Sequence, residues 1–284
     1  MKTTDHKVVI TGASSGIGRA TALLLDRLGH RVFAGVRKLS DGEALAAESS
    51  DRLTPVLLDV TDEDSIAAAV ESVSQSTPGG LHGLVNNAGL SLNGPLELLS
   101  TTDIKKLMNV NVLGLLAVTK SFLPLLRRHR GRIINISSGH GLLAIPDKSA
   151  YAASKFAVEA ISDSLRVELR PFGVSVSCVA VGKVDTEALG KIVADRERMI
   201  ENASPEVLDL YRPLIEFFDR EVKDLPGIQP IDVARVIERE LKALRPRAHL
   251  EVGPGAKKMK NLARLPVGLR DWLLAKALYS RRTA

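Results

Sequence analysis

The chain has 284 residues, of which 45% are hydrophobic and 25% charged, and its formal net charge is +6. This length is sufficient for one α/β domain with a large core. The single cysteine, Cys178, excludes an intrachain disulfide and predicts a reducing, cytoplasmic compartment. The six histidines are scattered without metal-ligand spacing, so no metal site is expected. There is no signal-peptide pattern and no uncharged apolar stretch of about 18 residues, so no membrane-spanning helix is expected.

The first predicted strand, residues 8–10, leads into a glycine-rich turn and then a helical pattern. Strand, turn and helix in this order place backbone N–H groups and the positive helix end against a phosphate. Gly12 permits a tight turn, Gly16 lets a pyrophosphate approach the backbone, and Gly18 lets the helix lie close to the strand. The residues predicted to contact the nucleotide here are Gly12, Ser14, Ser15, Gly16, Ile17 and Gly18.

The second predicted strand, residues 31–36, ends without an acidic residue. A site for NAD would place Asp or Glu here to bind the ribose 2′-hydroxyl. Instead Val36 is followed by Arg37, whose guanidinium suits a 2′-phosphate. The alternative is that Arg37 and Lys38 are only a solvated pair of charges. We expect Arg37 to favour NADP(H).

The third and fourth predicted strands, residues 55–58 and 83–85, also run into polar residues. Asp59 and Val60 follow the third strand, and Asn86-Asn87-Ala88-Gly89 spans the end of the fourth. Because parallel strands end at the same edge of a sheet, these residues are expected near the cofactor cleft. For Asn86 we expect mainly a structural role, in which its amide ties the central strands together.

A tyrosine and a lysine lie one helical turn apart at Tyr151 and Lys155, downstream of the pair Ser137-Ser138. A free phenol has a pKa near ~10 and is a poor acid or base at neutral pH. A neighbouring ammonium lowers that pKa, and reaching ~7 takes roughly 4 kcal/mol at about 1.4 kcal/mol per unit. Tyr151 is therefore a candidate proton donor to a carbonyl, or acceptor from an alcohol. Without its context the pair would be an ordinary surface pair on a helix.

Together these residues resemble the short-chain dehydrogenase/reductase family. The resemblance covers about residues 6–187, and strand and helix patterns also alternate from residue 7 to about 180. The implied fold is a single-domain, Rossmann-like, doubly wound parallel sheet with helices on both faces. The matching residues are Thr11, Gly12, Gly16, Ile17, Gly18, Asp59, Asn86, Asn87, Ala88, Gly89, Asn111, Ser138, Tyr151 and Lys155.

The resemblance also implies a role for each catalytic residue. Ser138 would polarise the carbonyl and Tyr151 would transfer the proton. Lys155 would hold the nicotinamide ribose and tune Tyr151, while Asn111 would hold a proton-relay water. The implied contacts with NADP(H) are Gly12, Ser14, Ser15, Gly16, Ile17, Gly18, Arg37, Asp59, Val60, Asn87, Ala88, Gly89, Tyr151, Lys155, Val184 and Thr186.

One position departs from the family after the sixth predicted strand, where Val181 replaces the usual proline. Gly182, Val184 and Thr186 do match. Proline pre-orders a turn, so its absence should loosen this loop by up to about 1 kcal/mol. We expect the nicotinamide contacts to survive this change.

Residues 1–284 are predicted to form one NAD(P)-binding domain, with a lid insertion at about 188–226 and a basic extension at about 245–284. The lid pattern is helical and rich in apolar residues, which predicts cover for a lipophilic substrate. More than half of those residues are expected only to pack the lid itself. His140, two residues after Ser138, is equally compatible with the substrate pocket and with a solvated loop.

The extension carries a net charge of +8, against −2 for residues 1–244. A basic amphipathic helix can lie on an anionic membrane. We favour the alternative that Trp272, Leu273 and Leu278 pack on the domain, because Pro266 interrupts the segment. Nucleic-acid binding is not expected, since few stacking aromatics accompany the basic residues.

The sequence therefore predicts an NADP(H)-dependent oxidoreductase that interconverts a lipophilic ketone or aldehyde and an alcohol. It resembles the steroid- and retinol-dehydrogenase-like side of the family. The alternative is a non-catalytic NADP(H)-binding regulator or scaffold, which would not need Ser138, Tyr151 and Lys155. A homodimer or homotetramer is expected, through the helix that carries Tyr151 and the long helix before it.

Overall fold

The computed structural model describes residues 6–224 and 227–279, which form a seven-stranded parallel sheet in the order β3-β2-β1-β4-β5-β6-β7. The strands are β1 (Lys7–Ile10), β2 (Arg31–Val36), β3 (Leu53–Leu57), β4 (Gly83–Asn86), β5 (Arg132–Ser138), β6 (Ser175–Val181) and β7 (His249–Val252). The order reverses between β1 and β4, which opens a crevice beyond the carboxyl ends of the central strands. The predicted doubly wound fold is confirmed.

Helices connect the strands and cover both faces of the sheet. They are α1 (Gly16–Arg27), α2 (Leu39–Ala46), α3 (Glu63–Ser76), α4 (Thr101–Met108), α5 (Leu115–His129), α6 (Ser149–Glu168), α7 (Ala188–Glu201), α8 (Pro205–Asp224), α9 (Pro230–Lys242), α10 (Pro254–Ala263) and α11 (Val267–Tyr279). The helical prediction for residues 188–226 is confirmed as far as residue 224, and residues 225 and 226 lie outside the described residues.

Two apolar layers enclose the sheet because neighbouring side chains on a strand point to opposite faces. Val8 and Ile10 belong to the layer with Leu25 of α1 and Ile237 of α9. Val9 belongs to the other layer, with Phe122 of α5. A sheet covered on both faces has strands that are continuously apolar, as these sequences are.

The amide of Asn86 ties the central strands to the helix behind them, as predicted. Its Nδ2 donates to Asn135 Oδ1 on β5 at 2.8 Å and to Thr119 Oγ1 on α5 at 2.9 Å. All three side chains are buried. The network fixes the carboxyl ends of β4 and β5, from which the residues of the crevice continue.

The run from α4 to α5 is continuous, because a π-helical segment (Asn109–Gly114) joins the two helices. Residues Thr101–His129 are long and apolar enough to cross a membrane by length and composition, with a mean hydropathy of 1.4 in the best window. Half of that window is buried inside the protein. The buried residues of this helical run include Val118 and Phe122. This burial is typical of a core helix in a globular fold.

The C-terminal segment differs from its prediction in two respects. Its residues 249–252 form β7, which pairs with β6 and was missed because four residues give too short a pattern. Leu278 packs on Leu214 and Phe218 of α8 as expected. Trp272 and Leu273 instead face solvent, so the prediction that they pack on the domain was wrong.

Histidines that are scattered in the sequence come together at the amino edge of the sheet. The ring centroids of His6 and His30 lie 5.1 Å apart, those of His6 and His82 4.5 Å, and those of His82 and His129 3.6 Å. Burial and the neighbouring positive charges lower the pKa of His6 to about 4. Within residues 6–224 and 227–279, no group of three or more His, Cys, Asp or Glu side chains is arranged to hold a metal ion.

Candidate active site

The crevice at the carboxyl edge of the sheet is a cavity of about 930 Å³. The segments that follow β1 to β6 all contribute to its wall. Every residue predicted for cofactor binding or catalysis lines this cavity, except Gly18 and Asn111. The cavity volume is in the range of small-molecule and cofactor sites.

The glycine-rich turn is built so that its backbone can approach a phosphate. Gly12 and Gly16 have φ of 65° and 54°, the left-handed region that favours glycine. A Cβ at Gly12 would lie 2.9 Å from Ala88 Cα, and one at Gly16 would lie 3.2 Å from Thr186 Cγ2. Ser15, the N-cap of α1, makes no side-chain capping bond, and the first turn of α1 contains no acidic residue. The amino end of α1 is therefore suited to an anionic group.

Two predicted residues support this turn. Asn87 donates from Nδ2 to the carbonyls of Thr11 and Gly12, both at 3.0 Å, while it also lines the cavity. Gly18 lies behind the turn, where any Cβ would overlap the carbonyl of Gly12. Gly18 thus allows α1 to pack closely, as predicted, without lining the cavity itself.

The far end of the cavity fits the adenosine half of a dinucleotide. Val36, Arg37 and Asp59 line it together, and the Arg37 side chain is exposed. Burial raises the pKa of Asp59, but hydrogen bonds from Thr61 and the charge of Arg37 outweigh it, so the net pKa is lowered. Asp59 is held in its position by Thr61, whose N and Oγ1 donate to Oδ1 at 2.9 and 2.7 Å.

Ser138, Tyr151 and Lys155 converge on the opposite end of the cavity. Ser138 is the last residue of β5, and its hydroxyl is hydrogen-bonded to the Tyr151 phenol. Tyr151 and Lys155 lie one turn apart on α6, with Lys155 Nζ 5.9 Å from the centroid of the Tyr151 ring. Lys155 Nζ also donates to the carbonyl of Ile136 at 2.9 Å, which fixes the ammonium beside β5.

The pKa values of this group differ from the sequence-based expectation. Burial raises the pKa of Tyr151, although the hydrogen bond with Ser138 opposes this. Burial also lowers the pKa of Lys155 to about 8, against the charges of Cys178 and Glu159. The net pKa of the Tyr151 phenol is therefore raised, where the sequence led us to expect that Lys155 would lower it.

Asn111 lies in the π-helical segment and is buried behind the cavity. Its Oδ1 accepts from Leu90 N at 2.7 Å, and its Nδ2 donates to Leu90 O at 2.9 Å and to Ser154 Oγ at 3.0 Å. These bonds use both N–H groups of the amide and one acceptor site of its oxygen, so the protein fixes the side chain. The side chain itself joins the loop after β4 to α6.

The segment after β6 is ordered by backbone pairing in place of a proline. Val181 is the last residue of β6 and pairs with Ser138 on one side and Val252 on the other. Gly182 N then donates to Val252 O at 2.9 Å, and Val184 bridges to Ile228. The path of the loop, which the sequence left in doubt, carries Val184 and Thr186 into the cavity wall.

His140 and Lys148 belong to the cavity wall near Tyr151. The His140 ring meets the Tyr151 ring edge-on at 5.8 Å, and burial lowers the pKa of His140 to about 4. Burial lowers the pKa of Lys148 to about 8. The sequence left the position of His140 open and gave no signal for Lys148, which precedes α6.

A buried ion pair joins the segment after β6 to the start of α6. Arg196 of α7 donates from Nη1 to both carboxylate oxygens of Asp147, at 2.9 and 3.1 Å. Its Nε donates to Asp219 of α8 at 2.8 Å, and its Nη2 donates to the carbonyl of Ile215 at 3.2 Å. Sequence reasoning missed this contact because 49 residues separate the partners.

Apolar side chains from four segments line the cavity: Ile145, Ile192, Phe218 and Met259. Only Ile192 of α7 and Phe218 of α8 come from the predicted lid. Others, such as Leu214 and Phe217, pack within the protein.

Comparison with known proteins points to one family. The short chain dehydrogenase family profile matches residues 6–197, more than half of the chain. Human Dehydrogenase/reductase SDR family member 9 is 36% identical over 284 residues, with 96% of this chain and 88% of the relative covered. Human Retinol dehydrogenase 16 is 38% identical over 287 residues, with 96% and 87% covered.

A solved structure with a bound cofactor has the same fold. The short chain dehydrogenase from Burkholderia cenocepacia in complex with NADP has a TM-score of 0.74 at 27% identity, with 96% of this chain and 99% of that chain covered. The chain therefore belongs to the short-chain dehydrogenase/reductase family of oxidoreductases.

Proposed function

We propose that the protein is an NADP(H)-dependent oxidoreductase that interconverts a lipophilic ketone or aldehyde and the corresponding alcohol. The observation that carries the proposal is the convergence of Ser138, Tyr151 and Lys155 at one end of a cavity whose other end suits a dinucleotide. A bound nicotinamide supplies or accepts the hydride. The protein binds and orients the partners and moves the proton.

Each residue of the group has a distinct task. The Ser138 hydroxyl donates to the substrate oxygen and orients the Tyr151 phenol, with which it is hydrogen-bonded. The Tyr151 hydroxyl gives its proton to the carbonyl oxygen in reduction and takes it back in oxidation. Lys155, fixed by Ile136 O, stabilises the phenolate left after proton transfer. Asn111 positions α6 and the loop after β4 through Ser154 and Leu90.

The substrate end of the cavity supports a lipophilic substrate. Its apolar wall is formed by Ile145, Ile192, Phe218 and Met259, and α7 and α8 act as the lid over it. The name of the human relative, Retinol dehydrogenase 16, points to the same class of alcohol. The enzyme is proposed to work in the reducing cytoplasm, since its single cysteine, Cys178, is a buried free thiol.

The test is a panel of lipophilic ketones, aldehydes and secondary alcohols, followed at the nicotinamide absorbance. Turnover with at least one pair is the expected result. Cofactor binding without turnover of any member would favour the regulator or scaffold instead. Tight cofactor binding combined with turnover of small polar ketones only would support the oxidoreductase activity but contradict the proposal of a lipophilic substrate.

The cofactor preference depends on Arg37. Arg37→Ala is expected to weaken NADP(H) binding by about 10- to 150-fold, because a charge-assisted contact with a phosphate is worth roughly 1.5–3 kcal/mol. NAD(H) binding should change little. The measurement is the dissociation constant for each cofactor, with Lys38→Ala as the control, since Lys38 is exposed and is not among the lining residues of the cavity. Equal affinity of the wild type for both cofactors would contradict the assignment.

An exposed apolar face on α5 and α6 leads us to propose a homodimer or homotetramer. Leu113 of the π-helical segment, Leu116 of α5 and Phe156 of α6 are exposed, while Val158 is buried in the domain. Light scattering at micromolar concentration is expected to give twice or four times the chain mass of 30.6 kDa. Phe156→Glu should dissociate the assembly, whereas Leu39→Glu, at an exposed residue of α2, should not. A wild-type protein that is monomeric at this concentration would contradict the proposed assembly.

A further inference from the structure

Helix α11 presents an apolar face to solvent. Leu269, Trp272, Leu273 and Tyr279 are all exposed, and Trp272 retains 56% of its accessible surface. Residues 269, 272, 273 and 276 have the spacing that places side chains on one face of a helix. On the opposite side Leu278 anchors the helix on α8. The apolar residues of α11 are thus turned mostly away from the protein.

Positive charge is concentrated in the segment that carries this face. The exposed cations on α10, α11 and their junction are Lys257, Lys258, Arg264 and Lys276. Asp271 is the only acidic residue between 254 and 279 in the sequence. Lys276 Nζ lies 4.9 Å from the centroid of the Trp272 ring, so a cation and the indole share this face.

We propose that this face of α11, the docking face, binds the surface of an anionic phospholipid bilayer. An indole, a phenol and two leucines beside flexible cations suit the boundary between headgroups and acyl chains. A contiguous exposed apolar face on a monomer commonly marks an interaction surface. The charge selects the partner, because a strongly cationic patch with one carboxylate complements anionic headgroups.

Docking would bring the bilayer close to the substrate end of the cavity. Leu278 of α11 packs on Phe218 of α8, and Phe218 lines the cavity. Met259 of α10 lines it as well. The inference itself goes beyond the proposed reaction and does not depend on it, since it concerns a surface outside the cavity and a binding event without turnover.

Trp272 is the single tryptophan of the chain, so its fluorescence reports on the docking face directly. The full-length protein is mixed with vesicles of phosphatidylcholine alone, or of phosphatidylcholine with phosphatidylglycerol. With the anionic vesicles we expect a blue shift of the emission and quenching by brominated acyl chains. Binding should weaken as the Debye length falls from about 30 Å at 0.01 M salt to about 8 Å at 0.15 M.

Substitutions separate the apolar and the charged contributions while Trp272 is kept as the reporter. Leu269→Glu combined with Leu273→Glu should abolish vesicle binding, whereas Leu244→Glu, at a fully exposed residue outside α11, should not. Lys276→Gln should weaken binding about fivefold, the effect of one cation near an anionic surface. Sedimentation with vesicles provides a second readout, and retained NADP(H) binding shows that each variant is folded.

Three results would overturn the inference. The first is no shift and no sedimentation with anionic vesicles at low salt. The second is equal binding to vesicles of phosphatidylcholine alone, which would remove the role of the cations. The third is a blue shift that grows with protein concentration in the absence of lipid, with a matching increase in mass, since the occupant of the docking face would then be a second copy of the chain.

Discussion

Tyr151→Phe is expected to lower kcat by about 10²–10⁴-fold, the usual contribution of a positioned acid or base. The substitution keeps the ring, which packs edge-on against His140, and removes only the hydroxyl bonded to Ser138. Cofactor affinity should therefore remain close to that of the wild type. Lys155→Ala should reduce both kcat and cofactor affinity, because Lys155 is proposed to hold the ribose as well. The measurements are single-turnover rates and NADP(H) dissociation constants.

Tyr211→Phe is the matched control for this experiment. The Tyr211 hydroxyl bonds the exposed Glu97 at 3.0 Å, and the residue is not among those that line the cavity. Its loss should change kcat little. A Tyr151→Phe enzyme with a near-normal kcat would remove Tyr151 from the role of acid and base, whatever the control shows.

Arg196→Ala is expected to release the lid. Removing one partner of a buried ion pair costs about 3–5 kcal/mol, because the other charge is left without compensation. Here Asp147 is that charge, with only Lys148 Nζ remaining at 3.5 Å. The rate of limited proteolysis within α7 and α8 should rise by about 10²–10⁴-fold, since cleavage follows the population of the open form. KM for a lipophilic substrate should rise, while NADP(H) affinity should be retained.

Arg198→Ala on the same helix is the control. Its ion pair with Asp195 is exposed, and such pairs contribute about 0–1 kcal/mol. Asp147→Asn should reproduce part of the effect of Arg196→Ala, because the amide keeps one acceptor oxygen. If Arg196→Ala and Arg198→Ala were cleaved at similar rates, Arg196 would not hold the lid closed.

Local patterns of sequence predicted most of the architecture. The strands at residues 8–10, 31–36 and 83–85 were predicted within one residue at each end, because continuous apolar runs mark strands that are buried on both faces. Strand β7 was not predicted, since the sequence pattern of four residues with two buried side chains cannot be distinguished from that of a loop. The glycine-rich turn was predictable because Gly12 and Gly16 serve a local backbone conformation.

Contacts between distant segments could not be predicted in the same way. In the sequence Arg196 is one of many charged residues, and only the fold shows that it contacts Asp147. The pattern of α11 gave the residues of an apolar face but not its direction, so Trp272 was assigned to the wrong side. The proton-transfer role of Tyr151 was predicted from its spacing to Lys155. The rise in its pKa depends instead on the burial of its side chain, which only the fold determines.

The backbone of Asp147 restricts which residues can replace it. Its φ is 67°, which lies in the left-handed region. Its carbonyl accepts from Gly94 N at 2.9 Å, and this hydrogen bond helps to hold the backbone in that conformation. Glycine and asparagine tolerate this conformation but lack the charge, while glutamate keeps the charge but favours it less. Aspartate satisfies both demands. Related chains can therefore be compared at two positions, an aspartate four residues before the tyrosine and an arginine in the segment after β6. If the two residues change together, these chains close their lid in the same way.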